Sequence, residues 1–192
     1  MTKVYFVRHA QADDSVRDGR NRPLTEKGFV DRKLVTDFLA DKEIDVVLSS
    51  PYKRAVDTIA DFAEMGDFEI CLIEEYKERR SDSDWDRTDD VWAFHEKQWA
   101  DFSYTLSDGE TLGEVQARNV NSLKDILARH KGKNIAIGTH GTALSTIINH
   151  YDNTYGFEDF KTMVHIAPWV VVMEFDGDNC LNIEKIDLFN GV

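Results

Sequence analysis

Short apolar runs rich in β-branched residues alternate with longer amphipathic segments along this chain, and this alternation restricts its fold most. Strands are predicted at residues 4–7, 44–48, 68–73, 134–138, 169–175 and 181–186, the last two as an antiparallel hairpin. Helices are predicted at residues 25–40, from 50 onward, at 111–130 and at 141–150. Strands that alternate with helices pair in parallel and are covered on both faces. We therefore predict an α/β fold, a three-layer α/β/α sandwich with a mostly parallel central sheet.

Residue types at the predicted helix starts support these boundaries. Thr25 can cap the first turn of its helix. Ser50 followed by Pro51 is typical of a helix start, because the serine oxygen caps free amides and proline loses no hydrogen bond there. Thr111 and Glu114 have the spacing of a capping box.

The length and composition favour one folded domain. A chain of 192 residues with 42% hydrophobic content can bury a full core. Residues 79–109 are acidic and irregular, so we interpret them as a cap insertion within a single domain that spans residues 1–192.

The charge balance limits the partners that this chain can have. Lys and Arg total 23 and Asp and Glu total 36, which gives a formal charge of −13 and argues against broad binding to nucleic acid or anionic membranes. Cys71 and Cys180 have no metal-ligand spacing, and no segment is apolar enough for a signal peptide or membrane helix. We expect a soluble cytoplasmic protein that uses no metal and no cofactor, and the oligomeric state stays open.

Polar residues collect where the predicted strands end. In open α/β sheets, ligands bind at the carboxyl ends of the strands. The residues at three of these ends are Arg8, His9, Ser49, Ser50, Thr139 and His140. We therefore expect the functional site along this edge of the sheet.

Four segments, in order along the chain, resemble one family. They are Val7-Arg8-His9-Ala10-Gln11, residues 23–28 (PLTEKG), residues 49–55 (SSPYKRA) and residues 138–141 (GTHG). Together they resemble the histidine phosphatase superfamily, in the branch related to cofactor-dependent phosphoglycerate mutases. The resemblance implies phosphoryl transfer through a phosphohistidine and a small phosphorylated metabolite as substrate.

His9 is the predicted nucleophile. A neutral imidazole, whose ordinary pKa is about 6.5, can attack phosphorus and form a phosphoenzyme that water then hydrolyses. No metal-ligand partners lie at useful spacing from His9, which disfavours a metal site.

Arg8 and Arg54 are predicted to stabilise the charge on the transferred phosphoryl group. Without a metal motif this task falls on Arg and His, and a guanidinium group can bridge two phosphate oxygens in a fixed fork. His140 lies at the start of a predicted helix, where free backbone amides favour an anion. The resemblance makes His140 the second histidine of the pocket.

The leaving alkoxide needs a proton, which a carboxylic acid beside the pocket can supply. Glu78 is our candidate, because Tyr76-Lys77-Glu78-Arg79 resembles the segment in which related mutases carry their acid. Glu74 and Glu75 are alternatives.

The resemblance also implies substrate contacts for Gln11, Ser15 and Gly141. Two positions depart from the family pattern. Ala10 stands where Gly is usual, which the same turn tolerates if the backbone φ is negative. Ser15 stands where an Asn commonly binds phosphate, so this contact can be weaker or lost.

The cap insertion carries three tryptophans, Trp85, Trp92 and Trp99, whose spacing of seven would place them on one helix face with Phe102. Either these rings pack the cap onto the core, or one or two of them touch the substrate. The charged residues of the insertion predict a solvated face. They are Arg79, Arg80, Asp82, Asp84, Asp86, Arg87, Asp89 and Asp90.

The main hypothesis is therefore a phosphatase, a phosphomonoesterase that acts on a small phosphorylated metabolite. A phosphoglycerate mutase is the alternative within the family, but the chain lacks the Trp-Asn pair after the nucleophile that mutases usually show. A non-catalytic phosphate-binding member is the third reading, and the presence of His9, Arg8, Arg54 and His140 disfavours it.

Overall fold

The computed structural model describes residues 1–83 and 90–190, and these form six strands and six α-helices. The strands are β1 (Thr2–Arg8), β2 (Val46–Ser49), β3 (Ile70–Leu72), β4 (Asn134–Thr139), β5 (Trp169–Asp176) and β6 (Asn179–Ile186). The helices are α1 (Glu26–Leu39), α2 (Lys53–Met65), α3 (Val91–Ala100), α4 (Leu112–Arg129), α5 (Gly141–Tyr151) and α6 (Phe157–Met163). A short 3₁₀ turn spans Glu74–Tyr76.

The strands form one sheet in the order β3-β2-β4-β1-β5-β6. The first four strands in the chain run parallel, and β5 pairs antiparallel with β1 and with β6. The predicted mostly parallel sheet and the closing hairpin are confirmed. Arg8 lies opposite Thr139, and Ser49 lies opposite Gly138, so three carboxyl ends meet at the middle of one sheet edge.

Two hydrophobic cores, one on each face, make the molecule three layers thick. Successive side chains of β1 alternate between them, because strand residues point to opposite faces: Val4 and Phe6 join one core, Tyr5 and Val7 the other. Helices α4, α5 and α6 cover the first core, and α1 and α2 cover the second. The predicted three-layer sandwich is confirmed.

Most of the predicted helix ends are confirmed. Thr25 caps α1 by accepting a hydrogen bond from a backbone N–H of the first turn, and Thr111 and Glu114 form the capping box of α4. The prediction for α2 is wrong, because this helix begins at Lys53 and its N-cap residue makes no side-chain cap. The Ser50 hydroxyl is engaged with a histidine instead.

Two helices, α6 and α3, differ from the prediction. Helix α6 was not predicted, since its seven residues are too few for a periodic signal. Helix α3 begins inside the predicted insertion, and its Trp99 packs against Tyr155 and Phe160, with ring centroids 6.0 and 5.6 Å apart. Trp99 thus packs the cap onto the body. In the described ranges, no helix is long and apolar enough to cross a membrane.

Two charged residues of the insertion contradict the predicted solvated face. Arg79 and Asp82 are buried, and their side chains form an ion pair at 3.5 Å. One Asp82 oxygen also accepts hydrogen bonds from the backbone N–H groups of Leu106, Ser107 and Gly109, at 2.9, 2.7 and 3.2 Å. Asp82 therefore organises the loop before α4. Five residues that the sequence analysis named in the insertion lie outside the described ranges: Asp84, Trp85, Asp86, Arg87 and Asp89.

Candidate active site

His9 follows β1 at the middle of the sheet edge, and its backbone N–H donates to the Thr139 carbonyl at 3.1 Å. Its Nδ1 lies 2.7 Å from the Ala10 carbonyl oxygen. Because a carbonyl oxygen only accepts, Nδ1 carries the proton and Nε2 holds the lone pair. Arg54 Nε donates to Nε2 at 3.0 Å, which agrees with this tautomer.

Both pocket histidines are neutral at neutral pH. Burial lowers the pKa of His9 well below its ordinary value, and the positive charges of Arg54 and Arg8 lower it further. Burial likewise lowers the pKa of His140, with Arg54 as the next cause. The lone pair of His9 is therefore not lost to protonation near neutral pH.

His140 ends the neighbouring strand, with its ring centroid 5.2 Å from that of His9. Its Nε2 lies 2.7 Å from the Ser50 hydroxyl, which also accepts a hydrogen bond from the Tyr52 N–H at 3.2 Å. Its Nδ1 is buried and has no hydrogen-bond partner among the described residues. If the Ser50 hydroxyl donates to Nε2, then Nδ1 carries a proton that an anionic oxygen can accept.

Main-chain carbonyl groups hold the Arg8 guanidinium group, and two of its N–H donors are left for a ligand. Nη1 donates to the Met163 and Ile166 carbonyls at 2.7 and 2.6 Å, and Nη2 donates to Val164 at 3.2 Å. A guanidinium group has five N–H donors, so the Nε–H and one Nη2–H are left. Nε is buried without a partner among the described residues. Burial lowers the pKa of Arg8 to about 10, so the group stays charged at neutral pH.

Gly141 lets helix α5 approach Arg8 closely. A Cβ atom at this position would lie 3.3 Å from Arg8 Nε and 3.4 Å from the terminal methyl group of Met163. The absence of a side chain here therefore leaves the Nε–H of Arg8 accessible.

Arg54 reaches the site from the first turn of α2. Its Nε donates to His9, and its Nη1 donates to the Gly19 carbonyl at 2.6 Å. Its guanidinium group also lies over the Tyr52 ring, 5.2 Å from the centroid. Arg54 thus links the loop after β1 to the lone pair of His9.

Glu78 lies at the N-terminus of α5. Its carboxylate accepts hydrogen bonds from the backbone N–H groups of Thr142, Ala143 and Arg79, at 3.1, 3.2 and 2.8 Å. The prediction of free amides for an anionic ligand is therefore wrong for Thr142 and Ala143, because a protein carboxylate takes them. Glu74, an alternative acid, pairs with Arg20 at the surface instead.

The segment that carries Glu78 is clamped by Arg118 of α4. The Arg118 guanidinium group donates to the carbonyl oxygens of Glu75, Lys77 and Glu78, the last two at 2.9 and 3.4 Å. The same group pairs with both carboxylate oxygens of Glu110, at 2.8 and 3.1 Å. This clamp sets where the Glu78 side chain starts.

The residues after His9 follow the prediction in part. Ala10 has a negative φ, since the described non-glycine residues with positive φ are Glu43 and Asp67, so the turn tolerates alanine. Gln11 lines the cavity in front of His9. Ser15 does not line it: the Ser15 hydroxyl donates to Asp13 at 2.6 Å on the exposed surface.

One part of the cavity in front of His9, here named the polar lobe, has a volume of about 500 Å³ and carries charged walls. Two of its cations are paired with carboxylates: Arg22 with Asp14 at 2.8 Å, and Lys27 with Asp31. Lys27 also lies over the Phe189 ring, 5.2 Å from the centroid. The polar lobe therefore offers positive and negative groups side by side.

The other part, here named the apolar lobe, has a volume of about 320 Å³ and lies between α3 and α6. It opens onto the same His9, Arg8 and Glu78. Its remaining walls are mostly apolar or aromatic. They are Val91, Trp92, His95, Gly141, Thr142, Phe160, Met163 and Val164.

Comparison with known proteins identifies the family. The model of the histidine phosphatase superfamily (branch 1) matches residues 4–185. The chain belongs to the histidine phosphatase superfamily. It is therefore a phosphomonoesterase-type hydrolase.

Similar proteins include several phosphatases. A protein of Hydrogenobacter thermophilus named "Putative phosphoserine phosphatase 2" is 27% identical over 162 residues, which are 77% of each chain. YhfR of Bacillus stearothermophilus is 25% identical, with a TM-score of 0.77 over 94% of this chain and 95% of that one. A mutant phosphoserine phosphatase of Entamoeba histolytica in complex with phosphoserine has a TM-score of 0.73, 22% identity and 94% coverage of both chains. At that identity the likeness shows the fold.

This histidine phosphatase brings together most of the residues that the sequence predicts for the site. Arg8, His9, Gln11, Arg54, Glu78 and Gly141 line the cavities. The ring of His140 lies beside that of His9, and Ser50 forms a hydrogen bond with His140. Sequence reasoning missed Arg22, Lys27 and His95. The basic residues that flank Pro23-Leu24-Thr25 were the signal for the first two, because Ala12 and Leu24 pair and fold this loop back to His9.

Proposed function

We propose that this histidine phosphatase hydrolyses a small phosphorylated metabolite through a phosphohistidine intermediate on His9 Nε2. The observation that carries the proposal is the tautomer of His9. Its Nδ1–H donates to the Ala10 carbonyl at 2.7 Å, which leaves the lone pair on Nε2 of a residue that lines the cavity. A neutral, oriented imidazole is the form that attacks phosphorus.

The donors around His9 supply what the transferred phosphoryl group needs. Three groups can receive its oxygens: the free N–H groups of Arg8, the guanidinium group of Arg54 and Nδ1 of His140. Arg54 must exchange its bond to His9 Nε2 for one to a phosphate oxygen, which frees the lone pair as the substrate arrives. Fixed donors in a partly buried site stabilise the equatorial charge of the transition state.

Glu78 is proposed as the proton donor. In the first step the Nε2–P bond forms while the ester P–O bond breaks, and the Glu78 carboxyl group gives its proton to the leaving oxygen. In the second step water attacks phosphorus, the Nε2–P bond breaks and Glu78 takes a proton from the water. Glu78 borders both lobes of the cavity, so it can serve an alcohol that leaves in either direction.

Relatives and the polar lobe support a substrate with further charged groups. The curated relative carries a phosphoserine phosphatase name, and a structural neighbour was solved with phosphoserine. Arg22 and Lys27 can bind a carboxylate, and Asp14 and Asp31 can bind an ammonium group. We therefore propose phosphoserine or a similar phosphorylated hydroxy acid as the substrate.

The direct test is to trap the intermediate. Rapid quenching with phosphoserine should yield an acid-labile phosphoenzyme in the wild type and none in His9→Ala, and phosphate release should survive a metal chelator. Undiminished phosphate release by His9→Ala would sink the proposal. Incubation of 3-phosphoglycerate with the 2,3-bisphosphate checks the mutase alternative, since formation of 2-phosphoglycerate without free phosphate would show a mutase.

A further inference from the structure

The polar lobe and the apolar lobe meet at the reacting atoms. His9, Arg8, Glu78 and Val164 line both. A phosphoryl group beside His9 Nε2 would therefore have its ester oxygen at the junction of the lobes. The alcohol bonded to that oxygen can extend into either one.

The apolar lobe has few groups that could bind the charged groups of an alcohol. Three of the five N–H groups of Arg8 are taken by carbonyls, and the Glu78 carboxylate already accepts three backbone N–H groups. Besides the nucleophile His9, the remaining titratable side chain that lines this lobe is His95. Burial, and then the charge of Arg79, lowers the pKa of His95 to about 4, so its ring is uncharged at neutral pH. The two N–H groups that Arg8 has left are assigned to the phosphoryl oxygens, so a carboxylate or ammonium group in this lobe would lose its hydration without gaining a charged partner of its own.

The same walls suit an apolar group. Phe160 and Met163 are buried in the body of the protein, and they present rings and methyl groups to the lobe from α6. Trp92 lies across from them on α3, with ring centroids 6.2 Å from His95 and 6.4 Å from Phe157. A volume of about 320 Å³ is enough for one aromatic ring or a branched alkyl chain.

From this geometry we propose a second class of substrate for the enzyme, phosphate monoesters whose alcohol is uncharged and aromatic or branched. The inference rests on the proposed function, because the same His9 and Glu78 carry out the reaction. The Nε2–P bond forms as the ester bond breaks, Glu78 protonates the apolar alcohol, and water later releases phosphate from His9. The alcohol occupies the apolar lobe, in contact with Trp92 and Phe160.

The test compares two alkyl phosphate esters. The alcohol of phosphoserine is charged, and that of 2-phenylethyl phosphate is uncharged and aromatic. The readout is the ratio of kcat/KM for the phenylethyl ester to that for phosphoserine. Trp92→Ala should lower this ratio about tenfold, the usual effect of losing one aromatic contact. Val91→Glu, which adds a charge to the lobe wall, should lower it as well. Lys27→Met in the polar lobe should raise it.

Trp99→Phe is the matched control, because Trp99 lies one heptad along α3 and packs outside the lobe. Its ratio should stay within twofold of wild type, and thermal melting of each variant checks that the fold is kept. A wild-type enzyme that hydrolyses phosphoserine but not the phenylethyl ester overturns the inference and leaves the proposed function standing. An equal loss of both activities in Trp92→Ala also overturns it. Failure of both esters, without a phosphoenzyme, overturns the proposed function itself.

Discussion

Substitution of Arg118 by Met removes the clamp that holds the Glu78 segment while keeping a side chain of similar length. The guanidinium group of Arg118 donates to the carbonyl oxygens of Glu75, Lys77 and Glu78 and pairs with both carboxylate oxygens of Glu110. Methionine replaces none of these donors. We therefore expect the substitution to lower stability and to disturb proton donation by Glu78.

The size of both effects follows from burial. The side chains of Arg118 and Glu110 are 16% and 15% exposed, so the variant leaves a mostly buried carboxylate without its cation. Breaking such a pair costs about 3 kcal/mol, which corresponds to a fall in Tm of roughly 6–12 °C for a chain of this size. A misplaced general acid should lower kcat/KM for an alkyl ester by roughly 30-fold.

The assay separates the structural effect from the positioning effect. Phosphoserine has a poor leaving group that needs the acid, whereas p-nitrophenyl phosphate has a good leaving group that departs without a proton. In Arg118→Met, kcat/KM for phosphoserine should fall about tenfold more than that for the aryl ester. Arg129→Met is the control, since Arg129 is an exposed arginine on the same helix and should change neither quantity.

Equal losses for the two esters would refute the positioning role and leave Arg118 with a structural role. An unchanged Tm would refute the expected loss of stability, because it would mean that water hydrates the Glu110 carboxylate once Arg118 is removed. Glu110→Gln offers a second measurement. It keeps an acceptor for Arg118 but no charge, so its effects should have the same direction and a smaller size.

Three further predictions concern packing, a buried carboxylate and pH. Gly141→Ala places a methyl group 3.3 Å from Arg8 Nε, so its kcat/KM should fall about tenfold. Gly156→Ala is the control, because its methyl group meets nothing within 4 Å and its kcat/KM should stay near the wild-type value. Asp82→Asn should lower the free energy of unfolding by about 2–3 kcal/mol in urea titrations, because it weakens several buried hydrogen bonds, and a loss under 1 kcal/mol would contradict this reading. The pKa of His95 is about 4 when folded, below that of the unfolded chain, so the native state binds fewer protons between roughly pH 6.5 and 4 and loses stability as the pH falls. The Tm of His95→Gln should therefore decline less than that of wild type between pH 7 and 4.5, and identical slopes would refute the assignment.

The central part of the site was predictable because it depends on local rules. Strand ends in a parallel sheet meet at one edge, so Arg8, His9 and His140 had to lie close together once their strands were recognised. The motif around Arg54 placed that residue at the start of a helix after the neighbouring strand. The three-layer fold followed from the alternation of strands and helices in the same way.

The remaining features depend on contacts between distant parts of the chain. Glu78 meets the N-terminus of α5 more than sixty positions later, and no local pattern predicts that it takes the amides expected for a ligand. The sequence predicts a solvated Asp82 because charged side chains are usually exposed, but backbone N–H groups from a loop far along the chain surround it. Two charged walls of the polar lobe, Asp14 and Arg22, come from an irregular loop that has no periodicity to interpret, and two others, Lys27 and Asp31, come from α1.

The pairing of β1 with β4 has a consequence for how such enzymes can be redesigned. The rings of His9 and His140 are 5.2 Å apart, close to the separation of neighbouring strands, and the backbone bond from His9 to Thr139 fixes their relative height. This distance is set by main-chain hydrogen bonds and not by any side chain of the cap. A designer could therefore replace α3 and the loop after β1 by those of a relative. We expect this exchange to change the substrate preference and to keep the distance between the two imidazole rings.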